Sequence, residues 1–228
     1  MTEPIRSLAA RYYTDRQVFE VENAGLLAKT WQFGCHASEL TETGDYATFE
    51  IAGESLFAIR GRDDKIRVFY NVCQHRAHQL VSGTGTTRVV VCPYHAWTYE
   101  LTGELRAGPN IYAVEGFDKS GICLTEVRAE EFVGFVFVNL DPDAAPMEEW
   151  FPNARAELEE WVPNWVDLKP LEWVDIPENC NWKVSVENYS ECYHCSLNHP
   201  TFANGVVKPE TYDIQPQGKC LRHKIGRA

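Results

Sequence analysis

The chain has 228 residues, 44% hydrophobic and 24% charged, with a formal net charge of −12 at pH 7. That length allows one large domain or two modest ones around a real core. So acidic a surface argues against nucleic acid or an anionic membrane as the main partner, and suits a docking protein with a basic face. No apolar run approaches the roughly 20 residues that span a bilayer. The opening "MTEPIRSLAARYYTDR" lacks the apolar core of a secretion signal, so a cytoplasmic location is expected. In a reducing compartment the eight cysteines are thiols or metal ligands before they are disulfides.

Thr14 to Lys29 is expected as a helix, with Thr14 and Gln17 as a capping box and Val18, Val21, Leu26 and Leu27 as an apolar stripe. From Tyr46 the pattern changes. "YATFEI", "SLFAIR" and "KIRVFY" are short β-rich runs separated by the turn signals "AGE" and "GRDD". "RVVVC", "WTYEL" and "GICLTEV" continue the theme, and "FVGFVFVNL", Phe132 to Leu140, reads as a buried strand. "DPDAAP" then punctuates the chain. Pro146 is placed to open a helix through about Trp161 as an N1 proline, with acids early in it. "LEWVDIPENCNWKVSVENY" is expected to bring a strand, a turn and a second helix. The fold class is α+β, with a helical segment over 1–35, a small antiparallel β domain over 36–145, and a further domain over 146–228.

The β block carries two Cys/His pairs: Cys73-x-His75, sixteen intervening residues, then Cys92-x-x-His95. Three readings compete. Lone Cys and His residues are often buried packing. Zinc accepts two Cys and two His tetrahedrally. A Rieske-type 2Fe–2S cluster has two Cys on one iron and two His on the other. The pairs come in the same order, thiol then imidazole, so two loops can each give one ligand to each iron. Strands flank each pair and can hold the loops rigid. Neutral imidazoles in place of two thiolates make the cluster less negative and raise its potential to roughly −150 to +300 mV. That suits an electron acceptor from a flavin or ferredoxin donor.

A third cluster, "ECYHCSLNHP", lies outside the β block. His194 and His199 are five residues apart, which on a regular helix is about 140° off one face. Pro200 biases His199 out of the helical region, so a helix can end near Asn198 and leave His199 free to turn toward His194. Glu191, three before His194, is expected on the same helical face. Two histidines and a carboxylate with open positions suit non-haem Fe(II) that activates O2. The bland reading is a polar helix with two unrelated histidines. Cys192-x-x-Cys195 offers a redox pair or a zinc site as a further alternative, with no thioredoxin-like βαβ context around it.

Both stretches resemble the Rieske non-haem iron oxygenases. "NVCQHRAHQL" with "VVVCPYHAWTYELTGEL" is similar to the cluster-binding domain, and "CNWKVSVENYSECYHCSLNHP" to the iron-binding segment of the catalytic domain. The resemblance implies an antiparallel β Rieske domain followed by the front part of an α+β helix-grip catalytic domain, with the N-terminal helical segment packed on the latter. It implies Cys73 and Cys92 on one cluster iron, His75 and His95 on the other, and His194 and His199 on a mononuclear iron with Asn188 nearby. His78 matches no ligand position, and Tyr94 and Trp97 are expected to shield the cluster. The family's usual aspartate at position 191 bridges the iron's histidine to a cluster histidine of a neighbouring subunit. Here Glu191 takes that place and would join His194 to the partner subunit's His95 in a homotrimer. A glutamate is what the quaternary-ammonium subgroup shows, including carnitine and glycine betaine oxygenases. "ENYSECYHCSLNHPTF" looks most like stachydrine (proline betaine) demethylases.

The implied function is a terminal oxygenase component. NADH would act indirectly, through a flavin/iron–sulfur reductase or ferredoxin, and O2 would hydroxylate an N-methyl group of a small quaternary ammonium compound. Two other functions compete: an aromatic-ring dioxygenase, and a Rieske electron carrier with a vestigial second site. A zinc-stabilised interaction module is a third. The family's third iron ligand, an aspartate, comes more than a hundred residues after the histidines. Here the acids after His199 are Glu210 and Asp213, and "ETYDIQ" does not resemble the ligand helix. The chain is therefore expected to be part of a longer enzyme. By itself it should bind the cluster without turning over substrate, and it should expose Trp161, Trp165, Trp173 and Trp182.

Overall fold

The computed structural model describes residues 7–191, 194–217 and 220–227. Chain contacts divide it into two units, one of residues 23–147 with 153–173, the other of 1–22, 148–152 and 174–228. The first unit holds ten strands: β1 (Gln32–His36), β2 (Asp45–Ile51), β3 (Glu54–Arg60), β4 (Ile66–Tyr70), β5 (Thr84–Thr86), β6 (Val90–Val91), β7 (Thr98–Tyr99), β8 (Leu105–Ala107), β9 (Glu126–Phe132) and β10 (Phe135–Asn139). Seven form one antiparallel sheet in the order β1-β10-β9-β4-β3-β2-β5, and β6-β7-β8 form a second.

"SLFAIR" is apolar on both faces because β3 lies inside the sheet and both its faces are covered. Leu56 and Ala58 enter one core with Val68, Val136 and Val138. Phe57 and Ile59 enter the other, which also takes Phe69, Tyr99, Leu105, Cys73 and Cys92. The second core thus carries both thiols of the candidate cluster site.

The expected single strand Phe132 to Leu140 is a hairpin instead. Phe132 pairs with Phe135, and Val133 (φ 51°) with Gly134 (φ 82°) makes the turn. Positive φ at both central positions matches the right-handed twist of the flanking strands, even though it strains a β-branched valine. "AGE" closes β2 onto β3 in the same way, with Ala52 at φ 53° and Gly53 at φ 85°. "GICLTEV" adds one isolated bridge, Glu104 to Cys123, before β9 begins.

The helices are shorter than expected. The N-terminal helix is split into α1 (Arg11–Thr14) and α2 (Arg16–Gly25). Asp15, not Thr14, caps the second piece, its carboxylate accepting from the Gln17 N–H at 2.8 Å. The helix expected from Pro146 breaks into α3 (Met147–Trp150) and α4 (Ala154–Trp161). Asn153 between them is left-handed at φ 68°. No strand forms over 171–180; the chain runs irregularly to α5 (Trp182–Tyr189), α6 (Cys195–Asn198) and α7 (Pro200–Gly205). Strands β11 (Val207–Gln217) and β12 (Cys220–Arg227) pair antiparallel. Trp161 and Trp173 are exposed, as expected, whereas Trp165 and Trp182 are half-buried. Among the described residues no helix is long and apolar enough to cross a membrane.

Candidate metal centres

Two loops of the β unit repeat one backbone pattern. In the first, Cys73 N–H donates to His78 O (2.9 Å) and Ala77 N–H to Cys73 O (2.9 Å). In the second, Cys92 N–H donates to Trp97 O (2.8 Å) and Ala96 N–H to Cys92 O (2.9 Å). Ala77 and Ala96 close the loops at φ 52° and 55°. The loops are alike from the cysteine onward, but the histidine stands at the third position in one and the fourth in the other. Asn71, 1% exposed, fixes the base of the first loop. Its Oδ1 accepts from the N–H groups of Leu80 and Val81 (both 3.1 Å), and its Nδ2 donates to Val81 O (2.8 Å). Sequence reasoning passed over Asn71, although an amide side chain heading a turn-rich metal loop is a recognisable signal.

Cys73 and Cys92 are free thiols, each 2% exposed. His75 lies exposed and His95 half-buried at the surface end, with ring centroids 4.7 Å apart. Trp97 stacks on His75 at 4.8 Å, 13° from parallel. Gly108 makes room for that indole, since a Cβ there would come 2.8 Å from Trp97 Cδ1. Tyr94 packs 3.8 Å from the His95 ring but is itself 56% exposed, so the shielding expected of the two aromatics falls mainly to Trp97. His78 contributes its carbonyl to the loop and sets its ring against Tyr94 at 5.5 Å. Desolvation first, then His75, Arg76 and His78, pulls His95 below the ordinary histidine range, which favours the neutral form a metal needs. An open groove of about 560 Å³ runs along the imidazole side, past Trp97, Ile111 and Phe117.

Tyr99 is the second residue that sequence reasoning missed. Fully buried, its hydroxyl accepts from Gln74 N–H at 3.0 Å and lies 3.2 Å from Cys73 Sγ. Either atom can donate across that contact, and with Cys73 as a thiolate on a metal the phenol is the donor. Burial, with the bond to Cys73, pushes the phenol well above the usual tyrosine range, so it stays a donor.

In the other unit Asn181 caps α5, its Oδ1 accepting from Lys183 N–H at 3.1 Å. Asn188 is exposed in the last turn of that helix. Glu191 is not on a helix, contrary to expectation. It lies between α5 and α6 and still reaches His194, Oε1 to Nδ1 at 2.5 Å. His194 precedes α6, and His199 stands at the break where α6 ends and Pro200 opens α7. The break turns the imidazoles together, centroids 5.3 Å apart and 77° between planes. His194 is half-buried and His199 exposed. Cys192 lies outside the described residues, and Cys195 is buried. Asp213 sits on β11 with its carboxylate taken by Gln215 Nε2 at 2.7 Å.

The donor sets fit iron. Two buried thiols and two imidazoles on twin loops suit two metals with two protein donors each. A closed zinc site needs four donors around one point. Among the described residues not even three His, Cys, Asp or Glu side chains converge as a group able to hold one ion. The pair His194 and His199 offers two imidazoles, with the Nδ1 of His194 oriented by Glu191, the usual outer support of a histidine ligand.

Comparison with known proteins agrees. Residues 30–118 match the Rieske [2Fe-2S] domain, and 164–224 the ring hydroxylating alpha subunit catalytic domain. The carnitine monooxygenase oxygenase subunit of Escherichia coli (strain K12) is 45% identical over 201 residues, 88% of this chain and 54% of that protein. The glycine betaine monooxygenase oxygenase subunit of Chromohalobacter salexigens is 33% identical over 225 residues, 97% of this chain and 49% of that one. A crystal structure of the quaternary ammonium Rieske monooxygenase CntA superposes with a TM-score of 0.91 at 38% identity, covering 97% of this chain and 62% of that one. The chain spans about half the length of the curated relatives it matches. It belongs to the Rieske non-haem iron oxygenases, whose two cofactors are a 2Fe–2S cluster and a mononuclear iron.

Proposed function

We propose that this chain serves a terminal oxygenase component that hydroxylates, and so N-demethylates, a small quaternary ammonium compound such as stachydrine or another betaine. The observation that carries this reading is Glu191 held on His194 at 2.5 Å, in the position where the resemblance expects aspartate for most of the family and glutamate for the quaternary-ammonium subgroup. The 45% identity to a carnitine monooxygenase subunit supports the same class.

In this reading Cys73, Cys92, His75 and His95 hold the cluster, and His194 and His199 hold the mononuclear iron. Together the two groups supply one-electron transfer and O2 activation. The buried thiols keep water from one end of the cluster, while the imidazole edge stays open to partners. Tyr99 donates to a cluster sulfur and raises its potential. Glu191 fixes the tautomer of His194 and, in a homotrimer, would reach the partner subunit's His95. Asn188 is assigned near the iron. Of the 1–35 segment, the part up to Glu22 goes with the catalytic unit while β1, from Gln32, joins the β sheet; the domains are assigned as 36–145 and 146–228. Electrons come from NADH through a flavin/iron–sulfur reductase or ferredoxin, in the cytoplasm. One atom of O2 enters an N-methyl C–H bond and the other leaves as water, with two electrons from NADH. The resulting hemiaminal then loses a proton and formaldehyde to leave the tertiary amine.

The test supplies reductase, NADH and O2 to this chain and to a fusion that adds the part of the carnitine enzyme it does not cover. The fusion should release formaldehyde from stachydrine, glycine betaine or carnitine, and the chain alone should only reduce its cluster. The match to a ring-hydroxylating domain favours a second reading, an aromatic-ring dioxygenase. A diol from an aromatic substrate, with no formaldehyde from betaines, would establish it. Cluster reduction without product from any substrate by either protein would favour an electron carrier.

A further inference from the structure

Helix α5 leads to the second metal site, and its anchoring is unusual. It is eight residues long, and its one buried residue is a lysine, Lys183. Val184 and Val186 are 42% and 49% exposed. An eight-residue helix is marginal in water by itself, and this one buries little apolar surface to hold it. What holds it is polar and comes from far away in sequence. Lys183 Nζ meets Glu22 Oε2 at 2.6 Å, with side chains only 10% and 19% exposed. The same oxygen accepts from Trp182 Nε1 at 3.2 Å. One turn on, Glu187 Oε1 accepts from Tyr13 O–H at 2.5 Å. Lys183 and Glu187 are four apart and so share one face of the helix. Instead of pairing with each other, each binds the N-terminal helices, and the ammonium also lies over the Tyr13 ring at 5.7 Å.

We infer that Glu22 and Tyr13 form a two-point clamp on α5, and that they are positioning residues for Glu191 and the His194–His199 pair. The inference rests on the iron-site reading above. Its logic is local. A largely desolvated ion pair is costly to break from one side, because the remaining charge keeps its burial without its partner. The helix therefore has one favoured seating, set by Glu22. The chain leaves α5 at Tyr189, and Glu191 follows two residues later. A shift of α5 is passed directly to the carboxylate that orients His194.

The test uses the whole cluster-loaded chain and variants Lys183→Met, Glu22→Gln, Tyr13→Phe and the conservative Lys183→Arg. Fe(II) is titrated anaerobically with nitric oxide, and the S = 3/2 nitrosyl signal is read by electron paramagnetic resonance. Amide hydrogen exchange over 184–190 is followed in parallel. Lys183→Met should weaken iron binding about tenfold or more, the range seen when outer support of a ligand is lost, and should alter the rhombicity of the signal. Glu22→Gln should fall between, Tyr13→Phe should lose least, and Lys183→Arg should restore the parent value. The visible spectrum of the cluster should be the same in all. Parent-like iron affinity and parent-like exchange in Lys183→Met and Glu22→Gln would overturn the clamp. If the parent itself gives no nitrosyl signal, the iron-site reading fails, and the clamp's assignment to it fails with it. Faster exchange of α5 in Lys183→Met alone would then leave only a structural contact.

Discussion

The two candidate metal centres are built in opposite ways. The cluster loops hang between strands, close on their own backbone hydrogen bonds, and sink both thiols into a core shared with Phe57, Ile59 and Phe69. The second site rests on three short helices, a proline break and a carboxylate between elements. Its His199 and Glu191 are exposed. The difference teaches where geometry is stored. In the first centre the backbone stores most of it, with Asn71, Trp97 and Tyr99 as added support. In the second it is stored in side-chain contacts, so single substitutions should move it further than they move the fold.

The sharpest way to break this comparison is at a thiol. Cys92→Ser should abolish the visible cluster spectrum and reduce iron and acid-labile sulfide in that unit to near zero, while leaving Fe(II) binding at His194 and His199 in place. Next comes Pro200→Ala. Without the proline, α6 and α7 can merge, and a continuous helix would turn His199 about 140° away from His194. Fe(II) affinity at that site should fall more than about tenfold, with the cluster spectrum unchanged. Glu191→Ala removes the partner of His194 Nδ1 and should cost about 10-fold to 100-fold in the same affinity.

Smaller effects sharpen the picture of the cluster. Tyr99→Phe removes the O–H aimed at Cys73 Sγ. Hydrogen bonds to cluster sulfurs raise the potential, so voltammetry should show a drop of roughly 40–90 mV, from about 1–2 kcal/mol of charged hydrogen bond at 59 mV per tenfold change. The least effect is expected at Asp45. The Thr86 hydroxyl, then the Glu42 N–H, hold its carboxyl below the usual range. A depressed pKa stabilises above the unfolded value near pH 4 and is lost as pH falls through the folded value. Asp45→Asn should lower stability at pH 7 by less than about 1 kcal/mol and flatten the acid limb of the denaturation curve.

What could be read in the sequence follows the same division. The twin loops that carry the proposed cluster ligands were legible because a rigid loop turns spacing into geometry: Cys73, His75, Cys92 and His95 come together from their intervals and flanking strands. The His194–His199 pair was legible through Pro200, whose effect on the preceding residue is local. Glu191 was placed on a helix that does not extend so far, yet its contact formed, because a turn of three residues also brings i and i+3 together. The hairpin at Val133–Gly134 was hidden by a valine in a left-handed turn, a choice that β-propensity reads as strand. Tyr99 acts through burial, and Glu22 and Tyr13 through contacts more than 150 residues distant. Spacing carries no trace of those.

The account depends most on the twin-loop centre. Its most direct test is nitrogen hyperfine spectroscopy on the dithionite-reduced protein, isolated without oxygen and analysed for iron and acid-labile sulfide. The account predicts a brown protein with about two irons and two sulfides in that centre, and hyperfine coupling to two imidazole nitrogens that disappears for one ring in each of His75→Cys and His95→Cys. A colourless protein containing zinc and no inorganic sulfide would contradict it.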